Sequence, residues 1–443
     1  MRNTQRRWIV PIAVISVAGF ALAGCAEGGS SGGDSSGSAE GQTVRISGGI
    51  TGSEADLLQQ SFAKFTEDTG IKVEYTGDKG FEGNIVTKVT GGDAPDLAIV
   101  PQPGLLQTLI GTGDVVKAPD AVDKAVDENW SSDWKTYGTV DGTFYAAPML
   151  ANVKGYVWYS PAKFKEWGVE VPTTWDELLT LTQTIQEKTG SAPWCAGFES
   201  GTASGWPGTD WIEDLVLRQS GTDVYDKWVA GDVKFTDQPI VDAFDSLGKI
   251  LLNPAYVNAG FGDVRSINST AFADVAAKVA DGTCPMTHQA SFLSSNFLDV
   301  KTAAGATPKV AADGDVYAFV LPGTKAGESQ VEAGGEFVAA FNDNEATAKV
   351  QEFMASADFA NARVKLGGVI SANKNADPSL ASSEFLTDAM TLLQDPKTTV
   401  RFDASDLMPA TVGSGSFWKG MVDWIDGKDQ ATVLSDIQAG YNN

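Results

Sequence analysis

The stretch GWPGTDW at residues 205–211 places two tryptophans around one aspartate, in a segment broken by Gly205, Pro207 and Gly208. Trp206 sits where little regular structure can hold a core around it. A broad, flat side chain on a rigid turn, beside the carboxylate of Asp210, suits a pyranose ring. The C–H faces of such a ring pack on an aromatic surface while its hydroxyls need fixed acceptors and donors. Asp210 has a second reading. With Glu213 three residues on and Ile212, Leu215 and Val216 as an apolar helical face, it fits a capping box, and Trp211 would fold over the helix entrance. Bond-breaking chemistry has no comparable signature: glycoside hydrolysis needs two carboxylates about 5 to 9.5 Å apart, and no spacing among the 57 acidic residues marks such a pair. With one histidine, His288, and no cysteine cluster, no metal site or cofactor is expected.

The elements that position this turn begin with alternating patterns. Val44 and Ile46 share one face of a strand over residues 43–47; Ala55, Leu58, Phe62 and Phe65 then recur at helical spacing behind a Ser53 cap, and Gly70 stops the helix. A second strand carries Ile71, Val73 and Tyr75, and a helix carries Ile85 and Val89. The apolar run LAIV at residues 97–100, between Pro95 and Pro101, suits a strand buried on both faces. This βαβαβ opening predicts a parallel sheet wrapped by helices, with ligand beyond the strands' carboxyl ends, at residues 48–54, 78–82 and 101–104. Residues 151–159 read as one extended segment, with Lys154, Tyr156 and Trp158 on one side and Val153, Val157 and Tyr159 on the other. An amphipathic helix follows over residues 175–188, capped by Thr173 or Thr174.

The ends place the protein. Residues 1–24 carry Arg2, Arg6 and Arg7, then an uncharged apolar run, a secretion signal too short for a comfortable membrane span. LAGC at residues 22–25 resembles the lipobox of bacterial lipoproteins, which implies cleavage before Cys25 and diacylglyceryl modification of its thiol. Residues 26–41 are almost entirely Gly, Ser, Ala and acidic, a flexible tether spanning roughly 20 Å. The body from residue 42 to 443 exceeds the ~250–300 residues that one core usually supports, so two lobes are expected. A formal charge of −25 repels nucleic acid and anionic lipid headgroups and tolerates a neutral ligand. With Cys25 assigned to lipid, Cys195 and Cys284 remain as a pair in an oxidising compartment. A bridge between them would contribute about 4 to 5 kcal/mol in the loop-entropy model; two buried free thiols are the alternative.

With lipobox, tether, βαβαβ opening and aromatic turns in hand, the chain resembles the extracytoplasmic solute-binding lipoproteins of carbohydrate ABC importers. The likeness rests on ADLLQQSFAKFTEDTGIKVEYTG, GGDAPDLAIVPQPG and VPTTWDEL. A narrower resemblance, to the α-glucoside-binding branch, rests on ESGTASGWPGTDWIEDLVLR, GGEFVAAF and RFDASDLMPATVGSGSFWKGM. The resemblance implies a two-lobed periplasmic-binding-protein-like α/β fold of type II, each lobe a mainly parallel sheet flanked by helices, with a hinged cleft between. It places residues 42–150 and 334–376 in the first lobe and residues 151–333 and 377–443 in the second. It implies a monomer lipid-anchored at the outer face of the bacterial cell membrane. Its partners would be an oligosaccharide of maltose or trehalose type and the permease subunits.

Carried over where the local text matches, the implied ligand contacts are Phe81, Glu82, Gln102, Asn152, Lys154, Trp206, Asp210, Trp211, Gly335, Glu336, Phe337 and Arg401. Several have a plain structural alternative: Glu82 as a helix start, Lys154 as a solvated charge, Asp210 as a cap, Arg401 as a salt bridge. Gly334 and Gly335 would let backbone approach the ligand closely. His288 and Gln289 lie in CPMTHQASF, where the family more often has a small residue or an aromatic after the methionine. A secreted glycoside hydrolase and an anchored adhesin or scaffold are the competing functions.

Overall fold

A computed structural model describes residues 39–258 and 261–442; the expectations for the signal segment and for Cys25 lie outside the described residues. The strands are β1 (Thr43–Gly48), β2 (Lys72–Gly77), β3 (Leu97–Val100), β4 (Thr139–Val140), β5 (Thr143–Phe144), β6 (Ala146–Val153), β7 (Tyr156–Tyr159), β8 (Met286–His288), β9 (Tyr317–Val320), β10 (Gln330–Ala340) and β11 (Thr399–Phe402). The large sheet runs β2, β1, β3, β10 and β11, with β6 on the other side of β10. Pairings β1–β2, β1–β3 and β10–β11 are parallel, whereas β10 is antiparallel to β3 and β6.

The expected burial of LAIV on both faces is observed. Leu97 and Ile99 pack with Val44, Ile46, Leu58 and Phe62, while Ala98 and Val100 pack with Phe81, Ile85 and Leu106. Two hydrophobic clusters therefore sandwich the sheet. Gly70 ends the first helical segment in the left-handed region at φ 70°, but the helix breaks at Phe62 into Gly52–Ser61 and Ala63–Thr69, and Thr51, not Ser53, precedes its first residue.

The second sheet departs from expectation. Its order is β8, β7, β9, and both pairings are antiparallel. Tyr159, the last residue of β7, pairs with Met286 and Tyr317, the first residues of its neighbours, so the chain re-enters at the end where β7 stops. A parallel pairing would need a crossover to the opposite end.

Residues 151–159 also form two strands, not one. The break at Lys154 and Gly155 resets the alternation, so Val153 joins Tyr156 and Trp158 in one cluster while Val157 and Tyr159 join another. The second cluster is built on the helices Trp175–Thr189, Trp206–Ser220 and Gln238–Leu251. Thr174 caps the first of these, accepting from the Glu177 N–H at 3.2 Å, while Glu177 accepts from Thr173 N–H at 2.7 Å. Cys195 and Cys284 form a disulfide with Cα atoms 5.8 Å apart across 89 residues of chain. In the loop-entropy picture this stabilises the fold by about 4 to 5 kcal/mol. No helix among the described residues is long and apolar enough to cross a membrane.

Candidate binding site

A cavity of about 420 Å³ opens where the loops of the large sheet face the helices around the second. All three loops named from the βαβαβ pattern reach it, through Gly49 and Glu54 after β1, Lys79 and Glu82 after β2, and Gln102 after β3. Its volume lies in the range of small-molecule sites.

The segment GWPGTDW is the start of a helix. Gly205 precedes Trp206–Ser220 with φ 109°, and a Cβ there would sit 2.2 Å from the Trp418 carbonyl. Only glycine meets both conditions. The close approach sets Trp206 and Trp418 on the same cavity wall. Trp206 is half-buried and braced by Phe272 and Phe292, at ring centroid distances of 5.1 and 5.8 Å; the Lys154 ammonium lies 5.2 Å from its ring.

Trp211, one and a half turns on, points the other way. It is 2% exposed and stacks on His288 at 4.1 Å, with Trp194 edge-on at 5.3 Å. His288 is bound to Asp214 at 2.9 Å, and neither His288 nor Gln289 lines the cavity.

Asp210 is not a cap, because the helix starts four residues earlier. It is buried, and its carboxylate lies 3.3 Å from Lys154 Nζ. Lys154 is nearer to Asp403, at 2.8 Å. Burial pushes this ammonium towards neutrality, but Asp210, Asp403, Asp406 and Glu332 outweigh it and hold the charge well above the ordinary lysine range. Asp403 is the ionised partner: burial opposes its charge, yet Lys154, Glu213 and the Asp406 N–H hold its carboxyl below the usual value. Burial raises Asp210, Glu213, Glu332 and Asp406. Asp210, Glu332 and Asp403 bring oxygens within 4.8 Å of one another, and Lys154 pairs with the two aspartates.

The opposite wall carries acceptors. Glu54, Glu82 and Glu336 are half-buried, and burial raises all three, Glu336 to about 7. The side-chain oxygens of Gln102 and Asn152 on this wall are buried with no hydrogen-bond partner; on the indole wall the Trp418 N–H, a donor, is likewise unpartnered. Glu336 reaches the cavity beside a register shift, where Glu336 pairs with Leu150 and Phe337 with Pro148. Such a bulge re-aims neighbouring side chains.

Of the twelve expected contacts, Glu82, Gln102, Asn152, Lys154, Trp206, Gly335 and Glu336 line the cavity. Phe81, Trp211 and Phe337 do not; each belongs to a hydrophobic cluster. Asp210 stands behind Lys154, and Arg401 binds Asp226 through Nε and Nη2 at 2.6 and 2.9 Å. The Gly334–Gly335 pair also makes room for protein: a Cβ on Gly334 would meet Lys154 Cε at 2.7 Å, and one on Gly335 would meet Trp134 at 2.5 Å. Missed were Asp403, Asp406 and Trp418, which lie within the motif RFDASDLMPATVGSGSFWKGM, and the aromatics Phe272 and Phe292, which carried no local signal.

The sequence pattern of a family described as bacterial extracellular solute-binding proteins matches residues 51–358. The osmoprotective compounds-binding protein GgtB of Synechocystis sp. is 36% identical over 406 residues, covering 90% of this chain and 92% of that protein. The alpha-glucosides-binding periplasmic protein AglE of Rhizobium meliloti is 34% identical over 419 residues, covering 91% and 88%. Among solved structures, the bacterial solute receptor AcbH superposes with a TM-score of 0.73 at 19% identity, covering 91% of this chain and 99% of that one. The last likeness establishes the two-lobed fold, and the first three establish descent: the chain belongs to the bacterial extracellular solute-binding proteins, receptors that bind their solute rather than enzymes that change it.

Proposed function

We propose that this receptor is the substrate-binding protein of an ABC sugar importer, and that its solute is a neutral α-glucoside of maltose or trehalose type. One observation carries the reading: the cavity sets the indoles of Trp206 and Trp418 against a wall rich in acceptors, including the unpartnered oxygens of Gln102 and Asn152. Saccharide hydroxyls bring the donors those acceptors lack, while ring C–H faces cover the indoles. The narrower choice of an α-glucoside is supported by the relative described as binding alpha-glucosides.

In this reading Trp206 and Trp418 form the platform, and Glu82, Gln102, Asn152 and Glu336 accept from hydroxyls. Lys154 donates what Asp403 and Asp210 leave free. The lobes are residues 42–150 with 334–376 and residues 151–333 with 377–443. The chain first crosses between them at residues 150–151, and solute contacts from both lobes favour closure. Cys25 carries the lipid and residues 26–38 the tether, which is shorter than the expected 26–41 because Ala39 packs in the core and Gly41 N–H donates to the Gly70 carbonyl; the receptor acts as a monomer presenting sugar to the permease.

Calorimetry and thermal melting with maltose, trehalose and isomaltose test the assignment. A fitting sugar at a hundredfold excess over Kd stabilises the fold by about 2.7 kcal/mol. A melt unmoved by millimolar concentrations of all three would remove the α-glucoside reading. Cleavage of a labelled oligosaccharide during a day's incubation would remove the receptor role.

A further inference from the structure

Arg363 lies in the last turn of the helix Ala357–Leu366 and is fully buried. Its Nε, Nη1 and Nη2 all lack a hydrogen-bond partner. A guanidinium keeps its proton in any protein interior, so this charge is present and must be compensated by neighbours. The acidic groups acting on it are Glu54 and Glu336, both on the cavity wall, although neither approaches as a direct ion pair. Its helix packs on Gly52–Ser61, which carries Glu54, and Arg363 itself does not line the cavity.

The other groups facing these carboxyls do less to balance them. Ser295 donates a long hydrogen bond of 3.4 Å to Glu54. The Tyr75 hydroxyl, on which Glu54, Glu82 and Glu336 all act, donates to the Ile50 carbonyl at 2.9 Å. Lys154 attracts Glu336 from the opposite wall but is held by Asp403 and Asp210. Glu54 and Glu336 also repel each other. Among the described residues, Arg363 is thus the cation acting on both carboxyls that no side-chain ion pair already engages.

We propose that Arg363 is a positioning residue for solute binding, a buried counter-charge that holds Glu54 and Glu336 as anionic acceptors for the solute's hydroxyls. The proposal rests on the saccharide reading above. It gives a physical reason for an unpaired arginine in the interior: its partners must stay free on their cavity side to meet the ligand. Anionic acceptors at Glu54 and Glu336 would also discriminate sharply against deoxy or O-methyl sugars, because a missing donor leaves a desolvated carboxylate unpaired.

The test follows saccharide affinity by calorimetry from pH 5 to 9, using whichever of maltose, trehalose or isomaltose binds the wild type. Wild-type affinity is expected to fall as pH drops through about 7, where Glu336 takes up its proton. Arg363→Met should lower affinity about tenfold at pH 7 and move the fall upward by about one pH unit. Arg363→Lys should restore most of both. If Arg363 only fills space, both variants lose stability and neither moves the pH profile, which overturns the proposal. Should the Arg363 variants fail to fold, Glu336→Gln keeps the arginine and must flatten the profile; an unaltered profile overturns the proposal equally. Carbon-detected titration of the Glu54 and Glu336 carboxyls needs no sugar. Midpoints unmoved by Arg363→Lys but raised by Arg363→Met support the proposal, and midpoints unmoved by both sink it. Failure of the wild type to bind any saccharide would instead sink the sugar reading.

Discussion

The wall formed by the segments after β1, β2 and β3, with β6 and the middle of β10, carries half-buried carboxylates and unpartnered amide oxygens. The wall formed around Trp206, Asp403 and Trp418 carries indoles and a lysine already held by two aspartates. Charge is settled locally on the indole side and left open on the carboxylate side. The first arrangement offers contact area whose strength changes little with pH. The second offers hydrogen bonds whose strength depends on ionisation. A hinged receptor needs both, since affinity comes from buried surface and selectivity from acceptors that punish a missing donor.

The sharpest way to break this contrast is to open the closed charge. Lys154→Met leaves Asp403 and Asp210 buried without their cation and should destabilise the fold by about 3 to 5 kcal/mol in denaturant titration. A variant as stable as the wild type would mean that the two aspartates hold protons.

Next in size is the pair of tryptophans five residues apart. Trp211→Ala, in the core, should cost about 3 to 5 kcal/mol of stability. Trp206→Ala should leave stability within about 1 kcal/mol and weaken sugar binding at least thirtyfold, roughly 2 kcal/mol. The reverse pattern would exchange their roles.

On the polar wall, Gln102→Leu should weaken binding by about 1 kcal/mol, fivefold or so, with the fold intact.

The pH response sharpens the comparison further. Burial raises the folded-state Glu336 carboxyl to about 7, from an ordinary 4.5. Below 4.5 the group is protonated in both states and contributes nothing. Between 4.5 and about 7 the folded protein keeps a proton that the unfolded chain releases, so this group's contribution to stability falls as pH rises through the window and stays lost above it. Melting followed from pH 4.5 to 8 should lose that component of the slope in Glu336→Gln. Smallest of all, Arg401→Ala should leave affinity unchanged and stability within about 1 kcal/mol, since its pair with Asp226 is open to solvent.

Much of this was legible in one dimension. Hydrophobic alternation located β1 and β2, a continuous apolar run located β3, and strand order alone predicted the loops that reach the cavity, because parallel crossovers put strand ends on one side. Trp206 stood out because its glycine and proline neighbours leave no local core for an indole. Trp211 and Asp210 were misread for a related reason. Reading the glycines and proline as a turn delayed the helix to Asp210, whereas Pro207 and Gly208 lie in its first turn behind the Gly205 cap.

The sequence by itself determined the repeating patterns: which segments become strands and helices, where glycine must turn the chain, and which cysteines could meet. Only tertiary structure decided which polar residues share a space. Lys154 meets Asp210 and Asp403 across 56 and 249 positions, Trp206 meets Phe272 and Phe292, and Arg363 acts on Glu54 and Glu336. The physical reason is that periodicity reports only whether a face is buried. What lies on the other side of that face is set by distant segments, and the charge balance at a buried site depends on all of them together.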